Sequence, residues 1–419
     1  MNGGGIMRGL MLVTAFALLS GCVTPSRVDP PPSPAAALLS GFPSATRLNA
    51  GDPEISSAVA QLMARASASA DGSFDILSLS GGGARGAFGA GSLVGLARAG
   101  KRPRFEIVTG VSAGALVAPF AFLGAEWDPQ LTAAFTDAQS TTLMSPRGLG
   151  ALFSPGIFSG KPLRARVDQY VTMELVDAIA RESRRGRILL VQTTDLDAQA
   201  AVLWNMGEIA EVGGEAARAL FRDVLLASSS VPGVFPPVMF NVEINGQRSQ
   251  EMHVDGGVVS SFVLTPLIAA LWRDEPDMQI VPGNLFIILN GPLAAKLKST
   301  PRNTVPIVSR SFETSQVHQA RASLAIVTEF ARRRDLKFLF TFIPSGFDAS
   351  GSLDLAQEEL TSLFNDAVTK AAKGEIWWSV DELIGSNGLA PWIDFEQAII
   401  PEKKSDKSRY DMQVKEMVR

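Results

Sequence analysis

Histidine and cysteine are nearly missing from this chain of 419 residues: there are two histidines and one cysteine. Any mechanism that needs a histidine base must use His253 or His318, and a His-rich metal cluster has too few ligands. With Cys22 as the only cysteine, a disulfide within the chain and a cysteine-based zinc site are both excluded. Nothing in the sequence calls for a metal or another cofactor. Charge bias is also lacking. Lys and Arg number 38 against 42 Asp and Glu, a net charge of −4, so no basic excess points to nucleic acid. No repeat period is visible. What the chain does have is apolar residues, 46% against 19% charged, enough for a sizeable core and too many for global disorder.

The N-terminus reads as an address. Arg8 supplies a positive charge, and Leu10 to Leu19 form an apolar run of signal-peptide length, too short for a comfortable membrane span. The run ends in Leu19-Ser20-Gly21-Cys22, which resembles the lipobox of bacterial lipoproteins. That resemblance implies cleavage before Cys22, lipid on its thiol, and a protein anchored in the bacterial cell envelope, at the outer membrane. Pro30, Pro31, Pro32 and Pro34 follow in an Ala/Ser-rich stretch expected to act as an extended tether. The expected organisation is a signal at 1–21, a tether at 22–54, one folded body at 55–400 and a charged, loosely held tail at 401–419.

Within the body, short apolar runs alternate with helical stretches. Strands are expected at Phe74–Leu79, Phe105–Thr109, Ile188–Thr193, Val238–Ile244, Met252–Asp255, Leu285–Leu289 and Phe338–Ile343. Helices are expected at Gly86–Arg98, Ala113–Leu123, Leu163–Glu182, Glu215–Ala227, Ser309–Arg334 and Leu353–Lys373. The alternation predicts an α/β fold: a three-layer α/β/α sandwich with a mostly parallel central sheet.

Three segments carry chemistry. Ser80-Gly81-Gly82-Gly83-Ala84-Arg85-Gly86 follows a strand and opens a helix, so its backbone N–H groups can converge on an oxyanion or a phosphate. It also fits a dinucleotide-binding fingerprint, with Glu106 as the later acid. Gly110-Val111-Ser112-Ala113-Gly114 lies between an apolar strand and an apolar helix, the setting of a nucleophile elbow. Val254-Asp255-Gly256-Gly257 delivers a carboxylate to the end of a strand, where glycines let the chain turn away. Together they offer oxyanion hole, nucleophile and base.

This combination, in this order, resembles patatin-like phospholipases, whose motifs read here as Gly81–Gly86, Gly110–Gly114 and Asp255–Gly257. The segments Ala227–Pro237 and Gly156–Gly160 also resemble the family. The resemblance implies a Ser112–Asp255 dyad that cleaves carboxylic esters of phospholipids or other acyl lipids. Gly81, Gly82, Gly83, Arg85 and Gly86 would form the oxyanion-hole loop, with the N–H groups of Gly82 and Gly83 as its donors. Gly110, Gly114, Gly256 and Gly257 would shape the turns. One departure stands out. The family often has asparagines before a proline after this aspartate motif, whereas Val258-Val259-Ser260-Ser261-Phe262 follows here and proline arrives only at Pro266.

Rival readings attach to several residues. His253 lies two residues before Asp255, on the same face of a regular strand. The spacing of about 7 Å is too long for a triad bond, so His253 reads as structural. His318 reads as a packing or surface residue. Arg85 could bind a lipid phosphate or pin the glycine loop through an ion pair. Leu143–Phe158 could be a lid or ordinary core. Arg181–Arg187 could touch headgroups but reads better as a solvated turn. A nucleotide-binding enzyme would use only the glycine loop, and a peptidase would lack its usual histidine. A non-catalytic, membrane-tethered binding lipoprotein on the same fold is the other class to weigh.

Overall fold

A computed structural model describes residues 27–70, 73–137, 158–265, 267–268, 283–293, 297, 299–333, 336–344 and 356–379. The lipobox with Cys22, nearly all of Leu143–Phe158 and the tail at 401–419 lie outside them.

The strands are β1 (Arg47–Asn49), β2 (Phe74–Leu79), β3 (Ile107–Val111), β4 (Ile188–Asp195), β5 (Ala200–Asn205), β6 (Val238–Ile244), β7 (Gln247–Asp255), β8 (Gly283–Leu289), β9 (Lys337–Phe342) and β10 (Trp378–Ser379). The helices are α1 (Ile55–Ala68), α2 (Gly86–Arg98), α3 (Ala113–Leu123), α4 (Asp128–Thr136), α5 (Lys161–Tyr170), α6 (Met173–Arg184), α7 (Met206–Val212), α8 (Gly214–Ser228), α9 (Thr304–Arg333) and α10 (Gln357–Lys373). The strands form one sheet in the order β1-β5-β4-β3-β2-β8-β9-β10, with the β6–β7 hairpin attached to β4 through β7. The stretch from β4 to β9 is parallel; β1, β5, β7 and β10 pair antiparallel at its margins.

Strand burial explains the layering. Every residue of β2, β3 and β4 is buried, as expected of strands covered on both faces. Side chains alternate between two cores. Leu77, Leu79, Val108 and Val191 face the core shared with α2, α3, α6, α8 and α10. Ile76, Ile107, Leu190 and Ile287 face the core shared with α1 and α9. In α9, Ala320, Leu324, Val327 and Ala331 form a buried stripe at helical spacing, while Val317 in the same register is half-buried. The result is the three-layer α/β sandwich with a mostly parallel sheet that the sequence led us to expect.

Two expectations are corrected. The helix expected over 163–182 is two, α5 and α6, because Thr172 caps α6 by accepting a hydrogen bond from Leu175 N–H at 3.2 Å. Residues 27–54, expected as a free tether, pack onto the body instead. β1 pairs with β5, Leu38 exchanges backbone hydrogen bonds with Glu243 at 2.8 and 2.9 Å, and Arg47 and Asn49 are buried. Of helix, the stretch holds only two short 3-10 turns, Pro34–Ala36 and Ser44–Thr46, and its prolines do not stop an extended chain from adding to a sheet edge.

Candidate active site

Local backbone chemistry builds the elbow. β3 ends at Val111, α3 starts at Ala113, and Ser112 between them takes φ 54°, ψ −123°. A non-glycine residue with positive φ is strained, and such strain gathers at functional turns. The neighbours must be small. A Cβ on Gly110 would meet Gly114 O at 2.6 Å, and one on Gly114 would meet Leu79 O at 2.4 Å. Ser112 is buried at the N-terminus of α3, and its N–H donates to Ser228 Oγ at 3.0 Å. Ser228 in turn donates to Gln192 O at 2.7 Å, tying the elbow to β4.

Sheet register brings Asp255 to this point. Val111, the last residue of β3, pairs with Gln192 of β4. Thr193, the next residue of β4, pairs with Asp255, the last residue of β7. The two strand ends therefore meet within one step along β4. The Asp255 backbone is held at both sides, its N–H donating to Ser230 O at 2.9 Å and its C=O accepting from Thr194 Oγ1 at 3.0 Å. Its Oδ1 accepts from Gly257 N–H at 2.7 Å, and its buried Oδ2 has no hydrogen-bond partner of ordinary geometry. Burial pushes the carboxyl up from 3.8 to about 7, against the pull of hydrogen bonding from the Ser112 hydroxyl and the Gly257 N–H. Of the described side chains, the Ser112 hydroxyl is the one that lowers the pKa of this carboxyl.

The glycine loop closes the third side. A Cβ on Gly81 would sit 3.1 Å from the Ser112 Cβ, and one on Gly86 would sit 3.0 Å from the Ala113 Cβ. A Cβ on Gly82 would lie 2.0 Å from Asn290 O. Gly83 takes φ 59° at the start of a short 3-10 turn, Gly83–Arg85. Among the described residues, no hydrogen bond leaves the N–H of Gly81, Gly82 or Gly83, so these donors are unspent within the protein. Arg85 is half-buried and lies within the field of Glu313 and Arg310 on α9, which pair with each other at 3.3 Å. Burial lowers the Arg85 pKa; Glu313 raises it and Arg310 lowers it.

Several supporting residues carry no motif. Asn290, just after β8, donates from Nδ2 to Ser80 O at 2.8 Å and accepts from Gly89 N–H at Oδ1, 3.0 Å. It thereby locks the entry of the glycine loop to the first turn of α2. Gln192 donates to Gly256 O at 2.7 Å, and Gln316 of α9 donates to Gly257 O at 2.6 Å. These glutamines brace the aspartate loop in a chain without the family's usual asparagines.

The rival residues fall elsewhere. Glu106 precedes β3, so it lies at the end of the parallel sheet opposite the glycine loop. There it accepts from Asp75 N–H at 2.7 Å, and the dinucleotide fingerprint has no acid in place. His318 is exposed on α9. Arg187, expected in a solvated turn, is buried: its guanidinium donates to Phe105 O at 2.6 and 2.8 Å and lies 4.3 Å from the Phe122 ring centre. His253 is fully buried, with Nδ1 2.8 Å from Thr193 Oγ1 and Nε2 3.3 Å from Glu251 Oε2. Both ring nitrogens are thus engaged away from Ser112. Asp195, Glu251 and His253 form the one group among the described residues with a metal-like donor set. Arg47 already grips both Glu251 oxygens, at 2.5 and 2.9 Å, so this cluster contains its own cation.

Residues 77–268 match the family model described as Patatin-like phospholipase. No curated protein matches the chain. Among solved structures, VipD from Legionella pneumophila is similar at 13% identity over 74% of this chain and 68% of that one, with a TM-score of 0.38. Human GIVD cytosolic phospholipase A2 is similar at 12% identity over 82% of this chain and 67% of that one, with a TM-score of 0.34. The matched span begins inside β2 and runs past the end of β7, so residues 77–268, under half of the chain, are similar to the patatin-like phospholipase family.

Proposed function

We propose that this protein is a lipid acyl hydrolase, of phospholipase A or lysophospholipase/esterase type, in which Ser112 is the nucleophile and Asp255 its base. The observation that carries the reading is the meeting of a strained elbow serine with a buried strand-end carboxylate, one register step apart on β4. Asp255 takes the Ser112 proton as Oγ attacks the acyl carbonyl. The N–H groups of Gly82 and Gly83 receive the oxyanion. The tetrahedral species collapses to an acyl-serine, and the alcohol leaves with the proton from Asp255. Water, deprotonated by the same carboxylate, then releases the fatty acid. A base with its pKa near 7 is matched to work at neutral pH, where an ordinary aspartate would be feeble. The rate should therefore rise with pH through about 7 as Asp255 ionises.

The test is hydrolysis of short-chain nitrophenyl esters and of phospholipid vesicles by the purified protein. Ser112→Ala and Asp255→Asn should each abolish turnover with the fold retained. Full activity in either variant, or activity lost only with His253→Ala, would refute the dyad. No turnover on any ester would favour the binding-lipoprotein reading, which leaves the strain at Ser112 and the unpaired Asp255 Oδ2 without a purpose. For location, we propose lipid on Cys22 and anchorage in the bacterial envelope. Cys22→Ser should release the protein from membranes, and retention of the variant would count against it.

A further inference from the structure

The N-terminal segment does more than cover a sheet edge. Arg27 pairs with Asp197 and donates to Gln250 O at 3.1 Å, while Asp197 accepts from Met252 N–H at 3.0 Å. Asp29 O accepts from Gln250 N–H at 3.3 Å. Arg47 donates to both Glu251 oxygens and to Pro34 O at 2.9 Å. Residues 27–49 thus hold β7, the strand that carries Asp255, at Gln250, Glu251 and, through Asp197, Met252.

The Arg47 contact is part of a closed ring. Trp204 Nε1 donates to Thr193 Oγ1 at 2.8 Å. Indole can only donate, so the single Thr193 hydroxyl proton is free to point to His253 Nδ1. That leaves the His253 proton on Nε2, directed at Glu251 Oε2. Glu251 is held by Arg47, and Arg47 pairs across strands with Trp204. The ring Arg47–Glu251–His253–Thr193–Trp204 therefore passes through β1, β7, β4 and β5 and returns to its start. All five side chains are buried.

Glu251, His253 and Asp255 share one face of β7, and only residues 253–255 pair with β4. A three-residue overlap is a weak guarantee of register, and a slip by one residue would turn Asp255 to the other face. The ring pins this overlap from two sides, at His253 through Thr193 and at Glu251 through Arg47.

We propose that residues 27–49 are a strap belonging to the hydrolase site, and that Arg47 is a positioning residue which, through this ring, keeps Asp255 in register against Ser112. The proposal rests on the dyad reading above.

The test uses the full chain with Arg47→Lys, which keeps the charge but not the two-pronged grip, and with Arg47→Met/Glu251→Met, which removes both charges of the buried pair together. Each is assayed for unfolding midpoint, for kcat and KM on a soluble short-chain ester, and for the acid limb of kcat/KM. The expected result is a folded protein whose kcat falls about tenfold or more with KM nearly unchanged. Hydrogen bonding from Ser112 lowers the Asp255 pKa, so a base displaced from Ser112 also moves the acid limb to higher pH. Should the double variant fail to fold, Arg47→Lys decides alone. A folded variant with unaltered kcat and an unaltered acid limb overturns the strap, as does a change confined to KM. If instead Asp255→Asn leaves turnover intact in the otherwise unchanged protein, the dyad has failed and not the strap.

Discussion

Asp255→Asn should stop turnover and at the same time make the protein more stable above pH 7. The two effects have one origin. The Asp255 carboxyl has its pKa raised by burial from 3.8 to about 7, so the folded state resists its ionisation. Below about pH 4 the group is protonated in both folded and unfolded chains, and no penalty exists. Between about pH 4 and pH 7 the unfolded chain gives up the proton while the folded one keeps it, so stability falls as pH rises. Above pH 7 the penalty is complete, at about 1.4 kcal/mol for each pH unit separating the two pKa values, or about 4 kcal/mol. Asparagine never ionises, and its amide oxygen can still accept the Gly257 N–H. Urea unfolding of both proteins from pH 4 to pH 9 measures this directly, because all other titrating groups cancel in the difference. The variant should match the wild type near pH 4 and exceed it by about 4 kcal/mol above pH 8. Parallel stability curves across that range, or a variant that is weaker at pH 8, would refute the reasoning.

Two further substitutions test the geometry around the elbow. Ser112→Gly should raise unfolding stability by about 1–2 kcal/mol while abolishing turnover, because glycine tolerates φ 54° and serine does not; a loss of stability would show that the elbow is not strained. Asn290→Ala removes the acceptor of Gly89 N–H and the donor to Ser80 O, both buried, at about 1–3 kcal/mol each. It should lower kcat by loosening the glycine loop while leaving the acid limb of the pH profile near 7; a stable variant with full kcat would free Asn290 of that role. In the wild type, kcat/KM should climb through pH 7 and level off above it, and an acid limb near pH 4 would mean that Asp255 is not the base.

The parts of the site that depend on local turn chemistry were legible in the sequence. A strand, a glycine-flanked serine and an apolar helix can form few things other than an elbow, and the boundaries of α2 and α3 fell where the pattern put them. What depends on long-range register was hidden. Asn290 lies 210 residues from Ser80, and nothing around it marks a polar residue bound for the glycine loop. Ser228 and Gln192 are ordinary residues in helix and strand, and they gain meaning only once β4 is seen between both strand ends. β5 was missed because Ala200–Asn205 is short and follows β4 closely. The break at Thr172 did leave a trace, a threonine followed by Glu174 in the first turn, but apolar periodicity ran through it. Composition misled most over residues 27–49, where prolines mask a segment that buries an arginine.

The docked strap also changes the length of the leash. A free segment from Cys22 to Glu54 would spread over roughly 30 Å on average and could swing much farther when drawn out. With chain order held from Arg27 onward, five steps of backbone remain, at most about 17–18 Å. With lipid on Cys22 as proposed, the β6–β7 edge stays against the bilayer and the body has little room to swivel. The hydrolase would then graze on the leaflet that holds it, and its substrates would be chosen first by which membrane face it is planted in, and only then by the residues around Ser112.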